Sequence, residues 1–175
     1  MASSFIITSF LVSSFLSILF TSTTVKGDLV SEICAKTPNA TLCETLIRSD
    51  PRSKTADLDT LGTITFNMTS KLIDSTSALV TSLRDKATNA TLKEVYSKCI
   101  DQYAFVELNR ENAEGYFKDK KCGEVVHFMS RSIGDLLTCD ASFFEHSVVE
   151  DQKLQQASFS LEQYCSAIIV MAVRL

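Results

Sequence analysis

The chain has 175 residues, of which 45% are hydrophobic and 22% are charged, and its formal net charge is −4 at pH 7. Its basic residues do not cluster, which argues against a nucleic-acid partner and against direct binding to a polyanionic polysaccharide. Six cysteines and a length suited to one domain indicate a small disulfide-bonded protein from an oxidising compartment.

The first 27 residues are typical of a secretory signal peptide. Residues 5–20 form an uncharged apolar run, and small residues follow it up to Gly27, with Thr23 and Thr24 as alternative cleavage points. The run is serine-rich and shorter than a membrane-spanning helix requires. Residues 1–27 hold one lysine and no acidic residue, so their removal changes the net charge from −4 to −5. We therefore expect a secreted protein, comprising residues 28–175, that is not bound to a membrane.

A helical hairpin and its linker are predicted over residues 28–56. Thr37-Pro38 breaks the helical pattern, and Asn39 can cap a second short helix. Cys34 and Cys43 flank this break with eight residues between them. A disulfide between them would close a hairpin that is too small to have its own core.

Residues 57–175 carry four amphipathic patterns with helical spacing. These patterns predict long helices over residues 57–84, 92–117, 125–139 and 154–175, with connections at 85–89, 118–123 and 140–150. No alternating strand pattern is present. The predicted fold is all-α, an up-down-up-down four-helix bundle to which the N-terminal hairpin is an appendage.

The second and third bundle helices provide a second predicted disulfide. The polar segment 118–123 ends in Gly123 and allows the chain to reverse. Asp119 is midway between Cys99 and Cys139, so a reversal there places the two cysteines at the same height. A disulfide requires Cα atoms within about 7 Å, and this geometry can supply that distance.

Cys122 and Cys165 remain. If the last helix is antiparallel to the third, Cys165 should lie level with residue 127, about 7.5 Å along the axis from Cys122 at 1.5 Å per residue. Two alternatives stay open at this point. The two cysteines form a third disulfide, or Cys165 is a buried thiol and Cys122 an exposed one that can link two chains into a homodimer.

The sequence offers little material for catalysis. It has no nucleophile elbow, zinc-protease motif or phosphate-binding glycine loop, and its two histidines, His127 and His146, lack ligand spacing. We therefore expect no enzyme activity, no cofactor and no metal site. Asn39, Asn67 and Asn89 each begin an Asn-x-Thr sequon, so they are candidate N-glycosylation sites.

Several segments resemble the plant invertase and pectin methylesterase inhibitors. The most specific is Cys-Ala-Lys-Thr-Pro-Asn-Ala-Thr-Leu-Cys at residues 34–43, followed by residues 49–58, which are most similar to an invertase-inhibitor branch that includes pollen allergens. Shorter matches follow in the correct order: Cys99 with Tyr103, then residues 128–130 and 138–140. The resemblance covers essentially all of residues 28–175.

This resemblance implies a secreted, non-catalytic protein of the plant apoplast or vacuole. Such a protein would dock 1:1 over the substrate cleft of a pectin methylesterase or an acid invertase. Family members are four-helix bundles with an N-terminal hairpin and two disulfides, which map to Cys34–Cys43 and Cys99–Cys139.

The turn between the second and third bundle helices is a candidate contact with the target. Several invertase inhibitors carry Pro-Lys-Phe there, and Lys120-Lys121-Cys122 occupies the matching place. Lys121 agrees, the proline is missing, and Cys122 replaces the aromatic residue. A second hypothesis is a secreted helical module that binds a small apolar ligand or a non-enzyme partner. That hypothesis predicts a continuous apolar cavity.

Overall fold

A computed structural model describes residues 28–175, so the predicted signal peptide lies outside the described residues. The helical segments are α1 (Leu29–Cys34), α2 (Ala40–Arg48), a 3₁₀ helix (Pro51–Thr55), α3 (Leu58–Lys86), α4 (Ala90–Lys118), α5 (Cys122–Glu145) and α6 (Gln152–Ala172). Residues 28–175 contain no strand. None of the helices in this range is long and apolar enough to cross a membrane.

Aspartate or asparagine caps begin all of these helical segments except α5. The capping residues are Asp28, Asn39, Asp50, Asp57, Asn89 and Asp151, and the side chain of each accepts a backbone N–H from the first turn. Such caps satisfy donors that have no partner inside the helix. The sequence thus specifies most helix starts locally.

Helices α3 to α6 form the predicted up-down-up-down bundle. Each packs on its neighbours in chain order, and α6 returns to α3 to close the bundle. The core has two parts. One surrounds Tyr103, Leu136 and Leu161 at the end that contains the α5–α6 connection. The other surrounds Phe66 and Ile168 at the end that contains the hairpin.

The hairpin belongs to the core. Val30, Ile33 and Ile47 are at most 1% exposed and join the same cluster as Ile168 and Met171 of α6. The description of the hairpin as an appendage is therefore wrong. Helices as short as α1 and α2 are marginal alone and become stable by burying an apolar face elsewhere.

Both predicted disulfides are present. Cys34 pairs with Cys43 at a Cα–Cα distance of 5.5 Å, and Cys99 pairs with Cys139 at 4.7 Å. Cys165 is a buried free thiol, and Cys122 is free and partly exposed. The alternative with a third disulfide is therefore wrong.

The predicted connection at 140–150 is too long. Helix α5 continues to Glu145, which leaves residues 146–151 as the α5–α6 loop. The extra turn buries Phe143, whose ring packs edge-to-face on Tyr96 of α4 with centroids 5.5 Å apart. Gly123 also differs from expectation, because it lies in the first turn of α5 instead of ending the reversal.

Candidate functional site

Residues 119–121 form the α4–α5 turn, and Lys120 occupies its left-handed backbone position, with φ of 58°. The Lys120 N–H donates to the Phe117 carbonyl at 3.1 Å, and the Lys121 N–H donates to the Tyr116 carbonyl at 2.9 Å. These two bonds form a Schellman motif, which usually places glycine where Lys120 lies. A residue with a side chain costs about 1 kcal/mol there.

Contacts with the bundle hold the Lys120 side chain. Its ammonium group forms an ion pair with Asp59 in the first turn of α3. The same nitrogen lies 5.8 Å from the centre of the Phe117 ring, within cation–π range. The side chain is nevertheless 48% exposed. It is thus oriented by the fold and accessible to a partner.

Lys121 precedes α5 as its N-cap residue and makes no side-chain cap hydrogen bond. Its ammonium group lies 3.1 Å from an Asp119 carboxylate oxygen and 5.4 Å from the centre of the Tyr116 ring. A positive charge at a helix N-terminus is unfavourable because it opposes the helix dipole. Serine, aspartate or asparagine would stabilise this helix start better.

Cys122 is the first residue of α5 and is partly exposed. It packs against the edge of the core cluster that contains the hairpin. The turn therefore brings together all three candidate residues of the sequence analysis. Lys120 and Lys121 each present a charged group, and Cys122 follows them at the start of α5.

Half-exposed apolar side chains lie on the later helices. Phe105 and Leu108 lie on α4, Leu137 on α5 and Phe159 on α6. Within the described part of the chain, the large apolar residues that are exposed all lie after residue 104. The faces of α4, α5 and α6 thus offer apolar contact area that α3 lacks. Sequence reasoning missed these residues because exposure depends on how the helices pack.

The three sequons lie in the first half of residues 28–175. Asn67 and Asn89 are exposed, and Asn39 is partly buried. Asn39 and Asn89 cap helices through Oδ1, at 2.9 Å and 3.1 Å from the donor nitrogens. Capping leaves Nδ2, the atom that would carry a glycan, outside the cap.

The described residues hold no group of three or more histidine, cysteine, aspartate or glutamate side chains arranged for a metal ion. One cleft of about 930 Å³ lies between the hairpin and its linker, and another of about 630 Å³ lies between α2, α3 and α6. Both are open to solvent. Neither is the enclosed apolar cavity expected of a carrier for a small apolar ligand.

Comparison with known proteins agrees with this architecture. The family model described as "Plant invertase/pectin methylesterase inhibitor" matches residues 28–171. A "Pectinesterase inhibitor" from Actinidia deliciosa is 32% identical, in an alignment that covers 98% of this chain and 96% of the relative. A "Putative invertase inhibitor" from Platanus acerifolia is 26% identical, with 73% of this chain and 75% of the relative covered.

Solved structures share the fold. A mutant form of a pectin methylesterase inhibitor from Arabidopsis has a TM-score of 0.75 at 21% identity, with 83% of this chain and 96% of that chain covered. At this identity the likeness shows the fold alone. The family match, however, spans nearly all the described residues. The chain therefore belongs to the plant invertase/pectin methylesterase inhibitor family, as its motifs predicted, and is an enzyme inhibitor and not an enzyme.

Proposed function

We propose that this chain is a secreted inhibitor of pectin methylesterase that binds the enzyme 1:1 in the plant cell wall. In this proposal the α4–α5 turn and the adjoining faces of α4 and α5 cover the substrate cleft. Greater identity to a pectinesterase inhibitor than to an invertase inhibitor, 32% against 26%, supports this target. The missing proline and aromatic residue around Lys121 also disfavour invertase.

The observation that supports this contact site is that each of the two turn lysines lies where another residue type would stabilise the turn better. Lys120 stands where glycine is preferred, and Lys121 stands where a capping side chain is preferred. Residues in locally unfavourable backbone or capping positions are typical of functional sites. A target that requires two positive charges at this position would account for both lysines.

The ion pairs of the turn do not prevent such a contact. The partners of Lys120 and Lys121 are Asp59 and Asp119, and both acidic side chains are about 60% exposed. Exposed ion pairs contribute at most about 1 kcal/mol, so a carboxylate of the target can replace the internal partner. Half-exposed Phe105, Leu108 and Leu137 would add apolar contact area.

The test of the target is a parallel inhibition assay. Oxidised protein of residues 28–175 is titrated into a pectin methylesterase and into an acid invertase at mildly acidic pH. Inhibition of the methylesterase alone is the expected result. Inhibition of invertase alone would overturn the proposed target. If a folded sample inhibited neither enzyme, the alternative of a binding module would replace the proposal.

The test of the contact site is a double charge reversal, Lys120→Glu with Lys121→Glu. We expect the inhibition constant to rise at least about tenfold, because two attractive contacts become repulsive. Lys93→Glu is the matched control. It reverses an exposed lysine near the start of α4, roughly 40 Å along the helix from the turn at 1.5 Å per residue.

An unchanged inhibition constant in the double variant, with normal folding, would move the interface away from the turn. A similar loss in Lys93→Glu would show that only net charge matters.

Two finer features belong to this proposal. The exposure of Asn67 and Asn89 supports N-glycans at both sites, and the partial exposure of Cys122 supports a disulfide-linked homodimer as a second assembly state. Intact mass measurement of the secreted protein, before and after glycan removal and reduction, tests both. An unmodified monomeric mass would contradict them.

A further inference from the structure

The α5–α6 loop, residues 146–151, covers a group of acidic side chains at the end of the bundle opposite the α4–α5 turn. Asp140 of α5 accepts hydrogen bonds from the Ser158 hydroxyl of α6 at 2.9 and 3.1 Å. Glu162 lies one turn beyond Ser158. Glu150 belongs to the loop itself. These carboxyl groups come from three consecutive segments of the chain.

Glu150 is poorly accommodated as a charged group. Its Oε1 atom is buried and has no hydrogen-bond partner among the described residues. Burial, followed by the charges of Asp140 and Asp151, raises the pKa of Glu150 to about 7. Both neighbouring charges that act on it are negative.

Every element around the loop contributes titratable groups. Helix α4 contributes Tyr96 and Tyr103, helix α5 contributes Asp140, the end of the loop contributes Asp151, and the middle of α6 contributes Glu162. Within the loop, Nδ1 of His146 lies 2.9 Å from the Ser142 carbonyl oxygen. Neutral tyrosines and negative carboxylates thus dominate the surroundings of Glu150.

Backbone hydrogen bonds anchor the two ends of the loop. The N–H groups of residues 146–148 donate to carbonyl oxygens in the last turn of α5, and the Asp151 side chain caps α6. Ser147 adopts a positive φ of 54°, which is unfavourable for a residue other than glycine. Val149, and Phe144 just before the loop, are each 88% exposed, and only Val148 packs against the core from the side. Between these ends, Val148 and the buried Oε1 atom of Glu150 are inward-facing side-chain groups of the loop.

We propose that Glu150 is a proton-operated latch: the α5–α6 loop stays closed while the buried carboxyl group of Glu150 is neutral, and loss of the proton loosens the loop. A neutral carboxyl group carries no charge to repel Asp140 and is less costly to bury than a carboxylate. Its conjugate base adds a second negative charge to a partly buried acidic group. This inference does not depend on the proposed target enzyme.

The direction of the pH effect follows from proton linkage. The pKa of Glu150 rises from the ordinary 4.5 to about 7 in the closed state, so the closed loop binds the proton more tightly than the open loop. The closed state is therefore fully favoured below the ordinary value, and it weakens as pH rises towards about 7. For each unit by which the pKa of Glu150 is higher in the closed loop than in the open loop, the closed-to-open ratio falls by up to tenfold between the two pKa values.

Hydrogen exchange on protein of residues 28–175 tests the latch. Protection factors of the backbone amides in residues 146–154, corrected for intrinsic exchange, are measured from about pH 5 to about pH 8. We expect them to fall about tenfold or more in the wild type. In Glu150→Gln, which keeps the shape but cannot ionise, we expect no such fall.

Two further variants sharpen the test. Glu145→Gln changes an exposed acid in the last turn of α5 and should keep the wild-type fall. Asp140→Asn removes one of the charges that raise the pKa of Glu150, so the midpoint of the fall should move to lower pH. His146 is present in all four proteins, so any contribution from it appears in each.

Flat protection in the wild type, or an undiminished fall in Glu150→Gln, would overturn the latch. If Glu150→Gln fails to fold, carbon NMR of the Glu150 carboxyl in the wild type decides the question. A titration midpoint close to the loss of protection supports the latch. A midpoint near the ordinary glutamate value overturns it.

Discussion

Lys120 occupies a backbone conformation that glycine would adopt with less strain, and its side chain is turned towards Asp59 and the Phe117 ring. The sequence located the turn because segment 118–123 is polar, and the family resemblance pointed to Lys121. It could not show the left-handed conformation of Lys120 or the missing cap at Lys121. Two consecutive lysines carry no signal for a turn type, unlike glycine, proline or asparagine.

Lys120→Gly separates stability from function. We expect the free energy of unfolding in urea to stay constant or to rise by about 0.5–1 kcal/mol, because relief of backbone strain outweighs an exposed ion pair. Inhibition should weaken, since one of the two contact charges is lost. A substitution that stabilises the protein and weakens inhibition together is typical of a functional residue that lowers stability.

Ser147→Gly is the control for this prediction, because Ser147 is the other non-glycine residue of the described chain with positive φ. It should relieve similar strain and leave inhibition unchanged. If Lys120→Gly inhibited as well as the wild type, the lysine would not be a contact residue.

At the scale of helices, the local sequence predicted where helices begin better than where they end. Asp57 and Asn39 begin helices as expected, because a capping side chain acts within its own first turn. The end of α5 was missed because residues 140–145 carry polar and aromatic side chains typical of a connection. Packing of Phe143 on Tyr96 stabilises the last turn of α5, and this contact between residues distant in sequence cannot be predicted from a local pattern.

Replacement of glycine by alanine should have opposite effects on stability at two positions inside helices. A Cβ atom on Gly62 of α3 would lie 2.4 Å from two ring carbons of Phe117, whereas a Cβ on Gly134 of α5 would meet nothing within 4 Å. Gly62→Ala should destabilise the protein by about 1–3 kcal/mol through overpacking. Gly134→Ala should stabilise it by about 0.5–1 kcal/mol through helix propensity.

Urea unfolding of both variants measures the two changes against the same wild type, and each glycine serves as the control for the other. Equal effects would show that the close approach of α3 and α4 at Gly62 does not limit packing.

At the scale of the whole molecule, the helical periodicity and the cysteine spacing predicted the bundle and its two disulfides. They did not predict that the hairpin completes the core. Ile33 and Ile47 share a core cluster with Ile168 from the far end of the chain, and Arg174 forms an ion pair with Glu32 at 3.0 Å. Contacts between the two ends of a sequence leave no periodic signal, so the sequence analysis described the hairpin as an appendage to the bundle.

Because the hairpin and α6 share one core cluster, they should unfold together. Ile33→Ala truncates a fully buried side chain, and we expect it to lower the free energy of unfolding by about 2–5 kcal/mol in a single transition. Hydrogen exchange should show loss of protection in α2 and in α6 alike. Val173→Ala, at a mostly exposed position near the same end, should change little. The contrary result is loss of protection confined to the hairpin, with the unfolding midpoint unchanged. It would mean that the bundle is stable without the hairpin and that the shared cluster contributes little to the stability of α6.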